Sequence, residues 1–208
     1  MLDLEVNAFV QRLAAAVRAR GEPWIRDVVP ALGGLALHFD PDFEGAVHDL
    51  AAELIERCLK EGLPPAEDLG REVEVPVCYD REFGLDLEEV AAKTGVTADE
   101  VVARHAAGAY RVLMIGFAPG HAYMSGLDAR LAVPRRASPR PQVAAGSVAI
   151  ANEQSVIYPY AIAGGWNVIG RTPLAVFDAR REAPSLFASG DRVRFRAISR
   201  AEFDGFKK

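Results

Sequence analysis

The chain is poor in cysteine and histidine, and this scarcity excludes several classes of protein. Its two cysteines, Cys58 and Cys78, are too few for a disulfide framework or a cysteine-based metal cluster. Both lie in apolar stretches and are predicted to be buried free thiols. The four histidines fall on different predicted elements without the spacing of metal ligands, so no metal site is expected.

Long hydrophobic runs and a strong charge bias are also missing. No segment approaches the roughly 18 apolar residues of a membrane helix, and the amphipathic N-terminus does not have the pattern of a signal peptide. The 24 basic and 29 acidic residues give a net charge of -5, which disfavours binding to nucleic acid or to an anionic membrane. We therefore predict a cytoplasmic protein with neither partner.

Common catalytic motifs are absent as well. The sequence has no GxxxxGK[ST] phosphate loop for ATP and no GxSxG nucleophile elbow. Ser125, Ser147 and Ser155 have no base that the sequence identifies. The residues alone indicate a ligand-binding module and do not identify a reaction.

The first 70 residues alternate between helical and strand patterns. Apolar spacing predicts a helix over 4–20 that Gly21 ends, and short strands over 24–29 and 35–39. A second helix is predicted to open at Asp40-Pro41 and to end at Gly62. These elements indicate a small α+β domain, residues 1–70.

Residues 71–208 show a different pattern of predicted elements. A strand over 73–78 precedes a helical preface, residues 86–107, whose two short helices are expected to begin with capping boxes at Asp86/Glu89 and Thr97/Glu100. Further strands, separated by Gly- and Pro-rich turns, are predicted over 112–117, 147–151, 156–158, 167–169, 174–177 and 192–198. This pattern is typical of a β-sandwich or barrel.

Glycine, proline and arginine concentrate in four places of the β-rich part: 116–121, 134–141, 164–166 and 170–173. Glycines leave backbone N–H groups open to a ligand, and arginines offer a forked partner for carboxylate or phosphate. His121, in the first cluster, carries an imidazole able to titrate near neutral pH, unless it is a histidine whose hydrogen bonds are satisfied within the turn, the slightly favoured alternative. The clusters predict a site for a small anionic or amide-bearing ligand, unless the glycines only shape barrel corners and the arginines are solvated.

One long run carries a resemblance to a known family: GFAPGHAYMSGLDARLAVPRRASPRPQVAAGSVAIANEQSVIYPYAIAGGWNVIGRTPLAVFD. It resembles the KipI family, whose members are also known as the B component of 5-oxoprolinase, the first component of allophanate hydrolase, or subdomains C and D of the carboxyltransferase domain. The similarity continues upstream through 75–79 and 110–112, and it covers about residues 2 to 200.

The resemblance implies an α+β fold with a small ferredoxin-like N-terminal domain followed by a cyclophilin-like β-barrel. It also implies work with partners: a KipA-like protein (the C component) and a LamB/YcsF-like protein (the A component) complete an ATP-dependent 5-oxoprolinase, which opens 5-oxoproline to glutamate. ATP is then expected at the level of the complex. Two alternatives stay open: a urea carboxylase or allophanate hydrolase carboxyltransferase component, which would involve biotin, and a histidine kinase inhibitor.

The family motifs place candidate site residues on this sequence. The residues expected to take part in the chemistry are His121, Gln154 and Arg171. Those expected to bind substrate are Gly116, Phe117, Pro119, Gly120, Tyr123, Arg135, Arg140, Tyr158, Gly164, Gly165, Trp166 and Thr172.

The suggested roles follow from side-chain type. Gln154 and backbone amides near Gly120 or Gly165 would bind a carbonyl or amide, and Trp166 would form a pocket wall. Arg135, Arg140 or Arg171 would hold a carboxylate or phosphate. Alternatively, Arg171 pairs with Asp178 or Asp191 and only fixes its loop.

The sequence departs from the family pattern at several positions. His121-Ala122 replaces a common Phe-Pro pair, Ser155-Val156 replaces Thr-Gly, and Ala163 stands where proline often precedes the paired glycines. These changes suggest a subgroup whose substrate differs from 5-oxoproline. The family's first strand is not found before the first helix, which would leave a sheet edge for a partner or a second copy to cover.

Overall fold

Two units make up the chain, and the division falls between Gly70 and Arg71. A computed structural model describes residues 3–66 and 69–206. Helices and strands occur in both units, so the predicted α+β class is confirmed. In the described part of the chain, no helix has the length and apolar character needed to cross a bilayer.

The first unit packs two helices against a two-stranded antiparallel sheet. Its elements in chain order are α1 (Leu4–Arg20), β1 (Ile25–Pro30), β2 (Leu35–Phe39) and α2 (Val47–Glu61). The Asp3 carboxylate accepts from the N–H of Val6 at 3.0 Å and caps α1, and Gly21 ends it with a φ of 61°. This order matches the central part of a ferredoxin-like arrangement.

The predicted start of the second helix was wrong by several residues. Asp40 accepts from the backbone N–H groups of Asp42 and Phe43, which makes a turn where helix was expected. The helix begins only at Val47.

The second unit contains most of the strands and three helices. Its elements are β3 (Glu72–Val77), α3 (Leu87–Thr94), α4 (Ala98–Ala107), β4 (Tyr110–Ile115), β5 (Ala122–Ser125), β6 (Arg140–Val143), β7 (Ser147–Ala151), β8 (Gln154–Ile157), β9 (Ile162–Gly164), β10 (Asn167–Arg171), β11 (Arg192–Ala197) and α5 (Arg200–Gly205). Seven strands form one sheet in the order β10-β7-β8-β5-β4-β11-β3, and β6 pairs with β9 as a separate ribbon.

Backbone hydrogen bonds between Cys78 and Arg171 close this sheet into a barrel. Cys78 follows β3 at one end of the strand order, and Arg171 ends β10 at the other. The N–H of each residue donates to the carbonyl of the other, at 2.8 and 2.9 Å. Closure satisfies backbone groups that an open edge would leave unpaired, and the expected cyclophilin-like barrel is consistent with it.

Several strand predictions need correction. Residues 174–177 form no strand: only Phe177 makes an isolated bridge, to Ser185. Three further strands, β5, β6 and β9, were not predicted, and they have only three or four residues each. Strands this short carry too little alternation to be recognised.

A chain of three buried polar side chains crosses the apolar core of the barrel unit. The Tyr79 hydroxyl lies 2.7 Å from Nδ1 of His105, and Nε2 of His105 lies 3.1 Å from Oγ of Ser155. The His105 ring stacks on Phe195 with centroids 4.5 Å apart. Burial lowers the pKa of His105 to about 3, so the imidazole is neutral in the folded protein.

Asp86 does not cap α3, contrary to the predicted capping box. Its carboxylate is 2% exposed, and it accepts two hydrogen bonds from Arg140, each 2.7 Å long, and one from the N–H of Val168, also 2.7 Å. Arg136 donates to the same carboxylate. The start of α3 is thereby tied to β6 and β10. At Thr97 the predicted cap is present, since its hydroxyl accepts from the N–H of Glu100 at 3.1 Å.

Barrel closure predicts the effect of one small substitution. A Cβ added to Gly170 would lie 2.8 Å from Cγ1 of Val77 and 3.0 Å from the Cys78 carbonyl oxygen. We expect Gly170→Ala to lower the free energy of unfolding by about 1–3 kcal/mol, the usual cost of overpacking. Denaturant unfolding measures this, with Gly205→Ala as control because no atom lies within 4 Å of its added Cβ. Equal stability of the two variants would contradict the tight closure.

Burial of His105 predicts a pH dependence of stability. In the unfolded chain a histidine binds a proton below about pH 6.5, whereas the folded pKa of His105 is about 3. The contribution of neutral His105 to the free energy of unfolding is therefore fully present above about pH 6.5, and it is lost as the pH falls toward 3. We expect His105→Gln, which does not titrate, to make the dependence between about pH 7 and pH 5 shallower, with the buried His121 still contributing.

The measurement is the urea midpoint of each protein at both pH values. A Trp24→Phe background leaves Trp166 as the single tryptophan, so that fluorescence follows the barrel unit. If the urea midpoint of the His105→Gln protein changes between the two pH values as much as that of the original protein, His105 does not cause the pH dependence.

Candidate functional site

The turn between β4 and β5 holds a residue in an unusual backbone conformation. The N–H of Gly116 donates to the His121 carbonyl, and the N–H of His121 donates to the Ala118 carbonyl, both at 3.0 Å. Within this tight turn Phe117 has a φ of 70°, a left-handed conformation that bulky residues rarely adopt. Its side chain is 67% exposed. Strained backbone and an exposed aromatic ring together mark this turn as a functional candidate.

A cluster of aromatic rings surrounds His121. Its ring centroid lies 5.4 Å from that of Phe117, 4.9 Å from Tyr123 and 5.5 Å from Tyr158, all edge to face. Tyr123 in turn lies 6.0 Å from Trp166. We call these five residues the aromatic cluster.

His121 is neutral, and one of its ring nitrogens is unpaired. The residue is 2% exposed, and burial lowers its pKa to about 4. The imidazole therefore does not titrate near neutral pH. Its Nδ1 is buried and has no hydrogen-bond partner in the described part of the chain. An unsatisfied buried nitrogen of this kind suits a ligand group that can hydrogen bond to it.

The glycine pair before Trp166 packs against the aromatic cluster. Gly164 lies so close to the Tyr158 hydroxyl that any side chain there would overlap it. The carbonyl of Gly165 accepts from the N–H of Arg136 at 2.8 Å. Arg135 is exposed, and its guanidinium carbon lies 5.4 Å from the centre of the Trp166 ring. The cluster thus has a cation at its edge.

Strand register places two of the predicted catalytic residues in one row across the outside of the barrel. Arg171 on β10 pairs with Ser147 on β7. The N–H of Tyr158, just after β8, donates to the Ser147 carbonyl at 3.0 Å. Tyr123 pairs with Val156, so His121 comes opposite Tyr158. With strands about 4.8 Å apart, the backbones of His121 and Arg171 lie about 14 Å from each other.

Arg171 lies at the far end of that row, in a cleft. Its Nε donates to the Ala145 carbonyl at 2.8 Å, and its guanidinium carbon lies 5.7 Å from the centre of the Phe83 ring. The predicted alternative, a pair with Asp178 or Asp191, is wrong. Asp178 pairs with Arg180, and Asp191 pairs with Arg71.

The remaining predicted residues lie in three other environments. Thr172 is buried beyond Arg171, and its N–H donates to the Gly146 carbonyl at 2.9 Å. Arg140 is bound to the buried Asp86 carboxylate. Gln154 begins β8, four residues before Tyr158 and about 13 Å from it along the strand. Its Nε2 is buried and has no partner in the described residues.

Gly116, Gly120 and Pro119 share the turn of Phe117 and His121. Gly120 has a φ of 77°, and a Cβ there would lie 2.7 Å from that of Phe177. Pro119 is exposed. The structure therefore brings most of the predicted substrate-binding residues together at the aromatic cluster and places Arg140, Gln154, Arg171 and Thr172 outside it.

Ser147 and Asp86 are the site-related residues that the sequence reasoning missed. Ser147 was considered only as a nucleophile without a base. Its position beside Arg171 depends on strand pairing, which a single sequence does not display. Asp86 was interpreted as a helix cap because its spacing to Glu89 fits one; the competing arginines come from 50 and 54 residues further along the chain.

Comparison with known proteins shows close full-length relatives. The chain is 39% identical to the B component of 5-oxoprolinase from Bacillus subtilis (strain 168), over 100% of this chain and 90% of that protein. It is 38% identical to the B component of 5-oxoprolinase from Haemophilus influenzae, over 89% of this chain and 85% of that protein. These similarities confirm the resemblance seen in the sequence.

Solved structures share the fold. TTHA0988 superposes with a TM-score of 0.80 at 39% identity; the match covers 96% of this chain but 38% of TTHA0988, so this chain spans well under half of that protein. The Kluyveromyces lactis urea carboxylase, at 18% identity and a TM-score of 0.68, matches 99% of this chain and 21% of its own length. This second likeness shows a common fold alone.

A family model agrees with both comparisons. The model described as carboxyltransferase domain, subdomain C and D, matches residues 1–187. The chain belongs to this family of carboxyltransferase-domain C and D subdomains, whose members similar to it include the B components of 5-oxoprolinases.

Proposed function

We propose that this chain is the B component of an ATP-dependent 5-oxoprolinase-type complex that hydrolyses 5-oxoproline, or a related lactam or amide. The observation that carries the proposal is 39% identity to the B component of a 5-oxoprolinase over the whole of this chain and 90% of that protein. In the net reaction, one water adds its hydroxyl to the ring carbonyl carbon and its proton to the ring nitrogen as the lactam C–N bond breaks, and a second water is consumed as ATP is converted to ADP and phosphate.

We propose that the substrate binds at the aromatic cluster, which we call the substrate end of the site. A lactam ring is flat and partly apolar, and it fits against aromatic faces such as those of Tyr123 and Trp166. The free Nδ1 of neutral His121 can accept a hydrogen bond from the ring N–H. Backbone amides of the turn at Gly120 are further candidates for the carbonyl oxygen.

We propose that this chain acts only together with partner proteins. The sequence has no phosphate loop, so ATP is bound mainly by another chain of a cytoplasmic hetero-oligomer. We propose a KipA-like protein and a LamB/YcsF-like protein as the partners. The relatives are named as one component of a larger enzyme, and this supports a complex of several chains.

A carboxyltransferase component acting on urea or a related amide, with biotin supplied by a partner, is the second candidate. The observation that favours it is His121, which stands where the family usually has phenylalanine and presents an unpaired nitrogen. Such a nitrogen would suit a more polar substrate than the common family site does.

Reconstitution tests the proposed function directly. We expect the purified chain, mixed with its cognate KipA-like and LamB/YcsF-like proteins, to release ADP faster when 5-oxoproline is added. Omission of this chain abolishes the stimulation, because the substrate end of the site is then missing. An assembled complex that urea stimulates and 5-oxoproline does not would favour the carboxyltransferase candidate.

Substitution of His121 tests the substrate end in the same assay. We expect His121→Phe to change the KM for 5-oxoproline by about threefold or more, because a hydrogen-bonding nitrogen is lost. The pH–rate profile between about pH 6 and pH 8 stays the same, because a pKa of about 4 keeps His121 neutral there.

His48→Phe is the matched control, since His48 is exposed and lies in the first unit. If both variants keep the original KM, His121 is not part of the substrate site. Loss of an inflection near neutral pH in the His121→Phe enzyme would contradict its neutral state.

A further inference from the structure

A cleft of about 550 Å³ opens at the Arg171 end of the row, away from the aromatic cluster. Tyr158 stands between the two ends of the row and is 1% exposed, packed under Gly164. The lining of the cleft includes Glu82, Phe83, Val143, Ser147, Ala161 and Arg171. Its lining is mostly apolar, and it has one cationic side chain.

The guanidinium of Arg171 is held in place before any ligand arrives. The backbone N–H and the carbonyl of Arg171 are both hydrogen bonded to Cys78, so its main chain is fixed. Its Nε is bound to the Ala145 carbonyl, and its guanidinium carbon lies over the Phe83 ring. Its two terminal nitrogens form no hydrogen bond or ion pair with any residue that the structure describes. A positioned fork of this kind matches the two oxygens of a carboxylate.

Ser147 adds a second unpaired polar group beside this fork. It is directly opposite Arg171 in the strand register, so both side chains project from the same face of the sheet. The residue is 4% exposed and lines the cleft, yet its hydroxyl has no hydrogen-bond partner within residues 3–66 and 69–206. The hydroxyl oxygen is open to the cleft, so it can donate a hydrogen bond to a ligand there.

Charge in the cleft favours an anion. Glu82, the acidic residue in the lining, is paired with Arg200, whose guanidinium also lies 4.7 Å from the Phe83 ring centre. The other two arginines that the family motifs suggested are differently placed: Arg140 is bound to Asp86, and Arg135 lies over Trp166 at the aromatic cluster. Of the three, Arg171 is the one that combines fixed geometry with free donors.

We propose that this cleft is a second ligand site, which binds the carboxylate of a small molecule. Two N–H groups of Arg171 donate to the carboxylate, and the Ser147 hydroxyl donates a third hydrogen bond. Phe83, Val143 and Ala161 contact a compact apolar body. The substrate and the product of the proposed reaction, 5-oxoproline and glutamate, both carry this group, but the site does not depend on that function.

Amide NMR of the full 22.5 kDa chain locates the binding. We expect 5-oxoproline or glutamate to shift the backbone amide signals of Ala144, Ala145 and Ser147. Pyrrolidinone, the same ring without the carboxylate, does not shift them. Tighter binding of 5-oxoproline identifies a substrate-type ligand, and tighter binding of glutamate identifies a product-type ligand.

Variants then assign the contacts. We expect Arg171→Gln to weaken carboxylate binding about tenfold to a hundredfold, Arg171→Lys to give an intermediate affinity, and Ser147→Ala to weaken it about threefold to tenfold. Arg26→Gln, the same change at an exposed arginine of the first unit, leaves the affinity within about twofold of the original value. Urea midpoints check that each variant is folded.

Three results would overturn the proposal. One is the absence of carboxylate-dependent shifts in the original chain at millimolar ligand. Another is equal shifts with pyrrolidinone, and the third is unchanged affinity in folded Arg171→Gln and Ser147→Ala. Failure of ADP release in the reconstituted complex with binding intact would refute the proposed function and leave this site standing. ADP release by the complex without carboxylate binding at the cleft would refute this site and leave the proposed function standing.

Discussion

Closure of the barrel through Cys78 and Arg171 is the constraint on which the second unit depends. The first and last strands of the seven-stranded order meet there through two backbone hydrogen bonds. A closed sheet fixes the position of every strand relative to its neighbours. The same peptide unit carries the Arg171 side chain, so the geometry of the cleft follows from the geometry of the closure.

A buried charge provides the second constraint. Asp86 would be expensive to bury alone, but two guanidinium groups and the Val168 N–H satisfy its oxygens. These partners come from two separate segments of the chain, residues 136–140 and the strand that contains Val168. Removal of either arginine would leave the carboxylate underpaired, and removal of Arg140 would also break the link from α3 to β6. Arg140 therefore has an architectural contact that is independent of any ligand.

Sequence reasoning succeeded where the signal is local. The helical spacing that ends at Gly21 predicted α1 within its observed bounds, and glycine clusters marked the turn at Phe117 and the segment before Trp166. It failed where the determinant is a distant residue. The true role of Asp86, the burial of His121 and the neighbourhood of Ser147 all depend on strand pairing. Local patterns do not contain that pairing.

The barrel fixes the distance between His121 and Arg171, which lie at the two ends of the strand row. To bring His121 closer to Arg171, the protein would have to break hydrogen bonds between β5, β8, β7 and β10. Their backbones are about 14 Å apart, more than the length of a single amino acid. One small molecule therefore occupies one end at a time. If both ends bind ligands as proposed, mutations that adapt one end can accumulate without disturbing the other, and one rigid scaffold would carry two specificities that evolve independently.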